Sequence, residues 1–488
     1  MKWMFFGMKQ RKPIELFLSW LPVAGLFLVI FLRFLYLDSN DLAMDEPFTV
    51  FFAQADLPAL FGMLHYENNP PLFFLLMHFW TGWFGISPVS VRFLSCVFSI
   101  LTAFMLFKTG KDFFSWKVGL VAAGLFTLSD YHQLFAHEAR VYALFALLTT
   151  VSMYFFLALT SRPEKKRYMM LLSLINVLLI YSHFFGFFIF LIQGLSVFLI
   201  PEYRKTILKF FLVSVLLSLI AYIPYFPIFF SRFFQSAGNG TWVEPPVVSD
   251  LYTMVWRYLN APVVTVAVIF LLTFALIRFI LRSRKGMASP ESKYIVLAIW
   301  FLVPYLLMFL VSFRIPVFLD RYTVFISVGF YLLAAVAINY LVTGLRPFLI
   351  LVSVLLLMMA ITFHPGVDNK RRLKETVSFV SALKHPGTIV IICPPWLEYG
   401  FSYHYDPLIF KDYNNLRSLL NQDNIYPVNN HSFLDTNKIK NSTQVLMLEE
   451  WASLTDPENT LFKFLDREFR YTKTVTFYQN FKVHRYTR

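Results

Sequence analysis

The sequence predicts an all-α polytopic membrane domain of about 11 transmembrane helices, followed by a small extracytoplasmic α/β domain. Three observations carry this. Only 15% of the 488 residues are charged and 57% are hydrophobic, where soluble domains carry about 25% charged residues. Apolar runs of membrane length recur between Leu16 and Phe363. Beyond Phe363 the composition turns mixed and polar, with strand-like runs at Thr388–Cys393, Gln444–Leu448 and Thr472–Tyr478 between helix-like stretches. The chain thus divides into a membrane domain, 1–363, with its first outer loop at 37–88, and an extracytoplasmic domain, 364–488.

The apolar runs lie at Leu16–Tyr36, Pro88–Phe107, Val118–Leu134, Val141–Thr160, Tyr168–Ser182, Phe184–Ile200, Phe210–Phe230, Pro262–Ile277, Tyr294–Phe313, Tyr322–Leu345 and Phe348–Phe363. The first is too long for a signal-peptide core and lacks a small-residue cleavage site, so it is read as a retained span. Alternate connections carry lysines: Lys9 and Lys12; Lys108, Lys111 and Lys117; Lys165 and Lys166; Lys205 and Lys209; Lys285 and Lys293. The opposite turns carry only arginines, at positions 140, 232, 257, 314 and 321. The positive-inside rule places the lysine turns and the N-terminus in the cytoplasm, in an inner (cytoplasmic) membrane, and the C-terminal domain outside. Pro71–Phe84 is too short to cross, and counting it as a span would put the lysines outside. It is read as a short helix in or on the outer leaflet.

The net charge of +14 is spread over these turns, which argues against nucleic acid as a partner. Cys96 and Cys393 form neither a disulfide framework nor a metal-ligand spacing. The first outer loop has no Lys or Arg but carries Asp38, Asp41, Asp45, Glu46, Asp56 and Glu67. Asp45-Glu46-Pro47 suits a helix start, and a carboxylate there can also take a proton from an acceptor hydroxyl or hold a divalent ion. Asn68-Asn69-Pro70-Pro71 reads as a turn in the acceptor region, whose asparagines can additionally bind a sugar or phosphate. In His137-Glu138-Ala139-Arg140-Val141-Tyr142, Glu138 and Tyr142 are spaced one helical turn apart and Arg140 can clamp a lipid phosphate. His183 stands in a tight turn, and Arg321 in Asp320-Arg321-Tyr322 opens a later span, where a cation suits a phosphate leaving group. Each also has a structural reading: a helix start for the acidic pair, a turn for the Pro pair, a hydrogen-bonded structural histidine at His183, and interface anchoring for the Arg140 and Arg321 stretches. Their common side is the informative feature.

Taken in order, Asp45-Glu46, Asn69-Pro70-Pro71-Leu72, Val91-Arg92-Phe93-Leu94-Ser95, Glu138-Ala139-Arg140-Val141-Tyr142-Ala143-Leu144, Tyr181-Ser182-His183-Phe184-Phe185-Gly186 and Asp320-Arg321-Tyr322 resemble the membrane-embedded GT-C glycosyltransferases. The nearest likeness is to bacterial relatives of protein O-mannosyltransferases and lipid A aminoarabinose transferases. The resemblance implies transfer of a sugar from a polyprenyl-phosphate carrier to a lipid, glycan or protein acceptor on the outer face, with inversion. It implies Asp45 as general base, with Glu46 as its alternate or partner. Arg92, Glu138, Arg140, Tyr142 and His183 would surround the donor phosphate or hold the first loop, and Arg321 is a further phosphate ligand. The family has His or Asp before its Pro-Pro pair, where this chain has Asn69.

Three other readings compete. A transporter or flippase for lipid-linked saccharides would carry ionisable groups at mid-membrane and often repeated, broken spans, and the runs show neither. The others are a lipid-linked glycan ligase or polymerase, and a non-catalytic assembly partner. No cofactor is demanded; Mg or Mn at Asp45 is compatible with the acidic loop, and zinc finds no paired cysteine.

Overall fold

The computed structural model describes residues 13–65, 67–239, 243–284, 291–366, 368–477 and 481–488. Lys9, Lys12, Lys285 and Tyr478, used above, lie outside the described residues. Among the described residues, six helices are long and apolar enough to cross a membrane: Pro88–Phe113, Tyr142–Ser161, Pro201–Gln235, Pro262–Arg284, Ser292–Val311 and Asp320–Leu341. Five shorter apolar helices join them: Trp20–Phe34, Leu72–Phe84, Trp116–Thr127, Phe184–Leu199 and Leu345–Ile361.

The expected runs therefore resolve into helices of unequal length. Val118–Leu134 is not one helix: Trp116–Thr127 stops and Asp130–Ala136 begins after a polar break. There the Ser129 hydroxyl donates to the Tyr258 carbonyl (3.0 Å) and the Asp130 N–H to Asn260 (2.9 Å). Phe210–Phe230 extends in both directions, with a 3₁₀ turn around Pro224 inside it. Leu72–Phe84 has 13 residues, about 20 Å of helix, well short of the hydrocarbon core.

The helices starting at Tyr142 and Val324 are buried on nearly every side and form the centre of the bundle. Close approach depends on small residues: a Cβ on Gly110 would stand 2.4 Å from the Gly119 Cα. Arg33, fully buried, cross-links three helical segments. Its guanidinium donates to Ser99 Oγ (2.8 Å), the Phe126 and Thr127 carbonyls (3.0 and 3.1 Å) and Gln133. A buried guanidinium needs this saturation to offset lost hydration.

The C-terminal region holds a five-stranded sheet of β1 (Thr388–Cys393), β2 (Ile425–Pro427), β3 (Gln444–Glu449), β4 (Arg470–Phe477) and β5 (Phe481–Thr487), in the order β2-β1-β3-β5-β4. β1 runs parallel to β2 and β3, while β5 is antiparallel to β3 and β4. β1 and β3 are buried along their whole length, which explains their continuous apolar sequence. Val390, Ile392, Leu446 and Leu448 pack with the helices following β1, and Ile389, Ile391, Val445 and Met447 with those following β3. The sheet region rests on the first loop. Tyr403 donates to the Ile86 carbonyl (2.9 Å), His404 pairs with the Leu42 carbonyl (2.9 Å), and the Lys374 N–H donates to Asp41 (3.0 Å).

Candidate functional site

The Asp45–Ala53 helix begins on the acidic pair, with Pro47 in its first turn, where proline and carboxylates are both favoured. Met44 precedes it at φ 57°, ψ −125°, a strained geometry for a residue with a side chain. Asp45 and Glu46 then part company. The Asp45 side chain is 43% exposed, with Arg321 Nη1 at 3.1 Å and Arg140 Nη2 at 3.8 Å from Oδ2. Glu46 is buried and accepts from Arg92 Nε (2.9 Å), Arg92 Nη2 (2.7 Å) and the Ala139 N–H (2.9 Å).

Arg92 spends its remaining hydrogens on the carbonyls of Leu37 (3.2 Å), Asn40 (2.8 Å) and Asp41 (3.0 Å). These contacts fasten Arg92 to the first loop. With both oxygens engaged, Glu46 works as a brace for the first loop, and Asp45 is the carboxylate that remains open to solvent.

Arg140 is buried, donates to Thr49 Oγ1 (2.8 Å) and lies 3.4 Å from Glu67, whose carboxylate accepts from Asn69 Nδ2 (2.7 Å). Asn68 contacts Arg232 instead. Glu138 does not share a helical face with Tyr142, because the helix starts only at Tyr142 and Glu138 lies in the turn before it. Burial pushes the Glu138 carboxyl up to about 8, with Glu46 and Asp45 adding and Arg321 and Arg140 opposing. This environment favours its protonated form. Tyr142 is buried, its ring 5.1 Å from that of Phe135.

His183 stacks on Phe145 (4.7 Å, 13°), and its Nδ1 accepts from the Phe185 N–H (3.1 Å). Burial, helped by Arg140 and Arg321, lowers its pKa to about 3. It is a neutral wall of the site and not a phosphate-neutralising cation. Leu72 N–H donates to the Tyr181 carbonyl (3.0 Å), so the Pro70-Pro71 turn and the His183 turn abut.

One end of the bundle thus gathers Asp45, Glu67, Arg140, Glu138, His183 and Arg321. Sequence reasoning missed Thr49 and gave Glu67 no role, although Glu67 stands two residues before Asn69 in the lysine-free loop. Arg232 figured only as an orientation charge. Glu450 is buried and paired with Arg371. Its carboxyl is held above the usual range chiefly by burial, with Glu449 and Asp45 contributing, which brings the end of β3 into the field of the site. No sequence signal linked residue 450 to residue 45.

The donor set fits a divalent cation poorly. Asp45 already faces two guanidinium groups and Glu46 is saturated, whereas Mg and Mn want several free oxygen ligands. Among the described residues no three His, Cys, Asp or Glu side chains converge on one point.

Residues 68–228 match the family described as dolichyl-phosphate-mannose-protein mannosyltransferase. No curated protein sequence matches the chain. Its structure is similar to that of ArnT from Cupriavidus metallidurans bound to undecaprenyl phosphate, with a TM-score of 0.62 at 12% identity over 96% of this chain and 98% of that one. It is also similar to AglB, an archaeal oligosaccharyltransferase from Archaeoglobus fulgidus, in complex with an inhibitory peptide and a dolichol-phosphate, with a TM-score of 0.53 at 11% identity over 96% of this chain and 74% of that one. The Archaeoglobus fulgidus oligosaccharyltransferase in complex with Zn and sulfate gives a TM-score of 0.53 at 13% identity over 88% of this chain and 67% of that one. The matched family is one of mannosyltransferases, and the archaeal neighbours are oligosaccharyltransferases.

Proposed function

We propose, from the premise that this chain carries the GT-C fold of membrane glycosyltransferases, that it moves a sugar from a polyprenyl-phosphate carrier to a hydroxyl-bearing lipid, glycan or protein, with Asp45 as general base. The observation that carries this is the solvent-open Asp45 carboxylate flanked by two guanidinium groups, Arg321 at 3.1 Å and Arg140 at 3.8 Å.

Such a cluster suits the reaction physically. Before substrate arrives, Asp45 neutralises two cations that have no phosphate to bind. When the carrier phosphate enters, its greater charge draws the guanidinium groups, which bind it in bidentate fashion. Asp45 is thereby released to accept the proton of the incoming hydroxyl. The acceptor oxygen forms a bond to the anomeric carbon, and the bond from that carbon to the carrier phosphate breaks. The phosphate leaves with the electron pair, and the arginines stabilise its growing charge. Protonated Glu138 adds no repulsion to an anion in this space. No step is routed through a metal ion.

The lysine-rich turns support placing this end of the bundle on the outer face of the cytoplasmic membrane, with the N-terminus inside. The test is loss of sugar from a labelled polyprenyl-phosphate sugar by the purified protein in bilayer nanodiscs. Asp45→Asn is expected to slow it by roughly 10²–10⁴-fold with normal membrane insertion. Undiminished consumption by that variant removes Asp45 from the mechanism, and none by the wild type refutes the reading.

A further inference from the structure

The C-terminal sheet changes the direction of its connections between β1 and β3. β1 and β3 are adjacent and parallel, with Cys393 opposite Glu449. The connection leaving β1 crosses to the face where Leu397, Phe401 and Leu416 pack. The connection leaving β3 crosses to the opposite face, where Ala452, Leu461 and Phe464 pack. Neighbouring parallel strands whose exits diverge in this way open a crevice outside their carboxyl ends, the usual ligand position in open α/β sheets.

Both exits carry an exposed indole. Trp396 follows Cys393-Pro394-Pro395 and is 47% exposed, while Trp451 follows Glu449-Glu450 and is 50% exposed. Trp451 is held at φ 55°, a left-handed conformation that side-chain-bearing residues rarely adopt. One face of its ring is covered by the Arg371 guanidinium at 5.4 Å, and the same guanidinium pairs with Glu450. Arg371 stands in a segment fastened to the first loop: its N–H donates to Asn369 Oδ1 (3.0 Å), and Asn369 donates to Asn40 Oδ1 (3.1 Å) and the Asp41 carbonyl (3.2 Å). Four residues after Asp41 comes Asp45, whose charge reaches Glu450. The segment that covers Trp451 and the segment that bears the base are thus joined through the first loop.

We infer that this crevice binds the acceptor, and that the acceptor is a saccharide. A pyranose has an apolar C–H face and a rim of hydroxyls. Indole rings offer a rigid apolar surface for the first, and the carboxylate and guanidinium of the crevice offer hydrogen-bond partners for the second. A hydroxyl of a sugar seated there lies next to the groups that would deprotonate it. The inference rests on the transfer reaction proposed above and specifies its acceptor.

The experiment is saturation-transfer-difference NMR on the full chain in phosphatidylcholine nanodiscs, free of sugar-headgroup detergent. The probes are methyl α-mannopyranoside, methyl β-glucopyranoside and a serine-containing peptide. Saturation of pyranoside C–H protons is expected for the wild type. It should fall by about tenfold or more in Trp451→Ala and in Trp396→Ala, and largely persist in Trp451→Phe. Absence of pyranoside signal in the wild type, equal signal in the alanine variants, or selective saturation of the peptide overturns the inference. Carrier consumption, measured separately, tells the two failures apart. Consumption without pyranoside binding sinks the crevice alone, whereas pyranoside binding without consumption sinks the transfer reading and leaves a saccharide site.

Discussion

Arg321 and Asp45 meet at 3.1 Å although 276 residues separate them in the chain. One begins a buried helix late in the bundle, and the other begins the first helix of the long segment before Pro88. Arg140 reaches the same carboxylate from a third segment. Three distant stretches thus converge on one exposed acid, and the reactive geometry depends on the whole bundle being assembled.

Removing the Arg321 cation should therefore weaken stabilisation of the leaving phosphate. Arg321→Ala is expected to lower kcat/KM for a polyprenyl-phosphate sugar by roughly 10²–10³-fold. Arg321→Lys should recover only part of this, because an ammonium lacks the planar fork. Steady-state kinetics of donor consumption in nanodiscs will decide; equal activity of the alanine variant would place the phosphate elsewhere.

The Glu46–Arg92 pair should behave as a structural brace. Truncating either partner leaves a buried charge, a loss of about 3–5 kcal/mol in comparable buried pairs. Glu46→Ala and Arg92→Ala should each lower the thermal midpoint clearly. The double variant should lose less than the sum, since the two side chains share one interaction. A thermal-shift double-mutant cycle showing simple additivity would contradict the pairing.

Glu138 supplies a pH signature. Burial pushes its carboxyl up to about 8 in the folded chain, above the ordinary value of 4.5. Between those values the folded state holds a proton that the unfolded state has lost, so stability falls as pH rises through this window. The slope from this group is at most about 1.4 kcal/mol per pH unit and vanishes above the folded value. Glu138→Gln should flatten that part of the stability profile. An unchanged profile between pH 5 and 8 would refute the assignment.

Close packing of the Pro88–Phe113 and Trp116–Thr127 helices should tolerate no methyl group. A Cβ on Gly119 would lie 2.3 Å from the Phe107 carbonyl oxygen, so Gly119→Ala must push backbone apart. A marked loss of folded, monodisperse protein is expected, of the order seen for overpacked cores, about 1–3 kcal/mol or more. Gly62→Ala, which meets nothing within 4 Å, is the control. Equal behaviour of the two would show that the helices have room to separate.

Much of the architecture was legible because burial in lipid imposes a simple code. Thr388–Cys393 and Gln444–Leu448 read as strands because both faces of a central parallel strand are covered, leaving an unbroken apolar run. β5, Phe481–Thr487, went unread because Lys482, His484 and Arg485 interrupt its pattern on a partly open face. β2 has three residues, too few for any periodicity to show. The break at Ser129 was hidden because the polar groups that satisfy it, Tyr258 and Asn260, lie about 130 residues downstream.

By itself the sequence determined that the chain is a membrane protein with a polar C-terminal region, and it marked the acidic pair, Arg140 and Arg321 as candidate chemistry. Hydropathy and charge are properties of each residue, so they can be read along one dimension. Which carboxylate stays open was decided only by the tertiary structure. Asp45 and Glu46 are neighbours with the same charge, and they differ because packing turned Glu46 onto Arg92 and Ala139 while leaving Asp45 to solvent and two arginines. Burial and partner geometry belong to the fold, since they are set by residues remote in sequence.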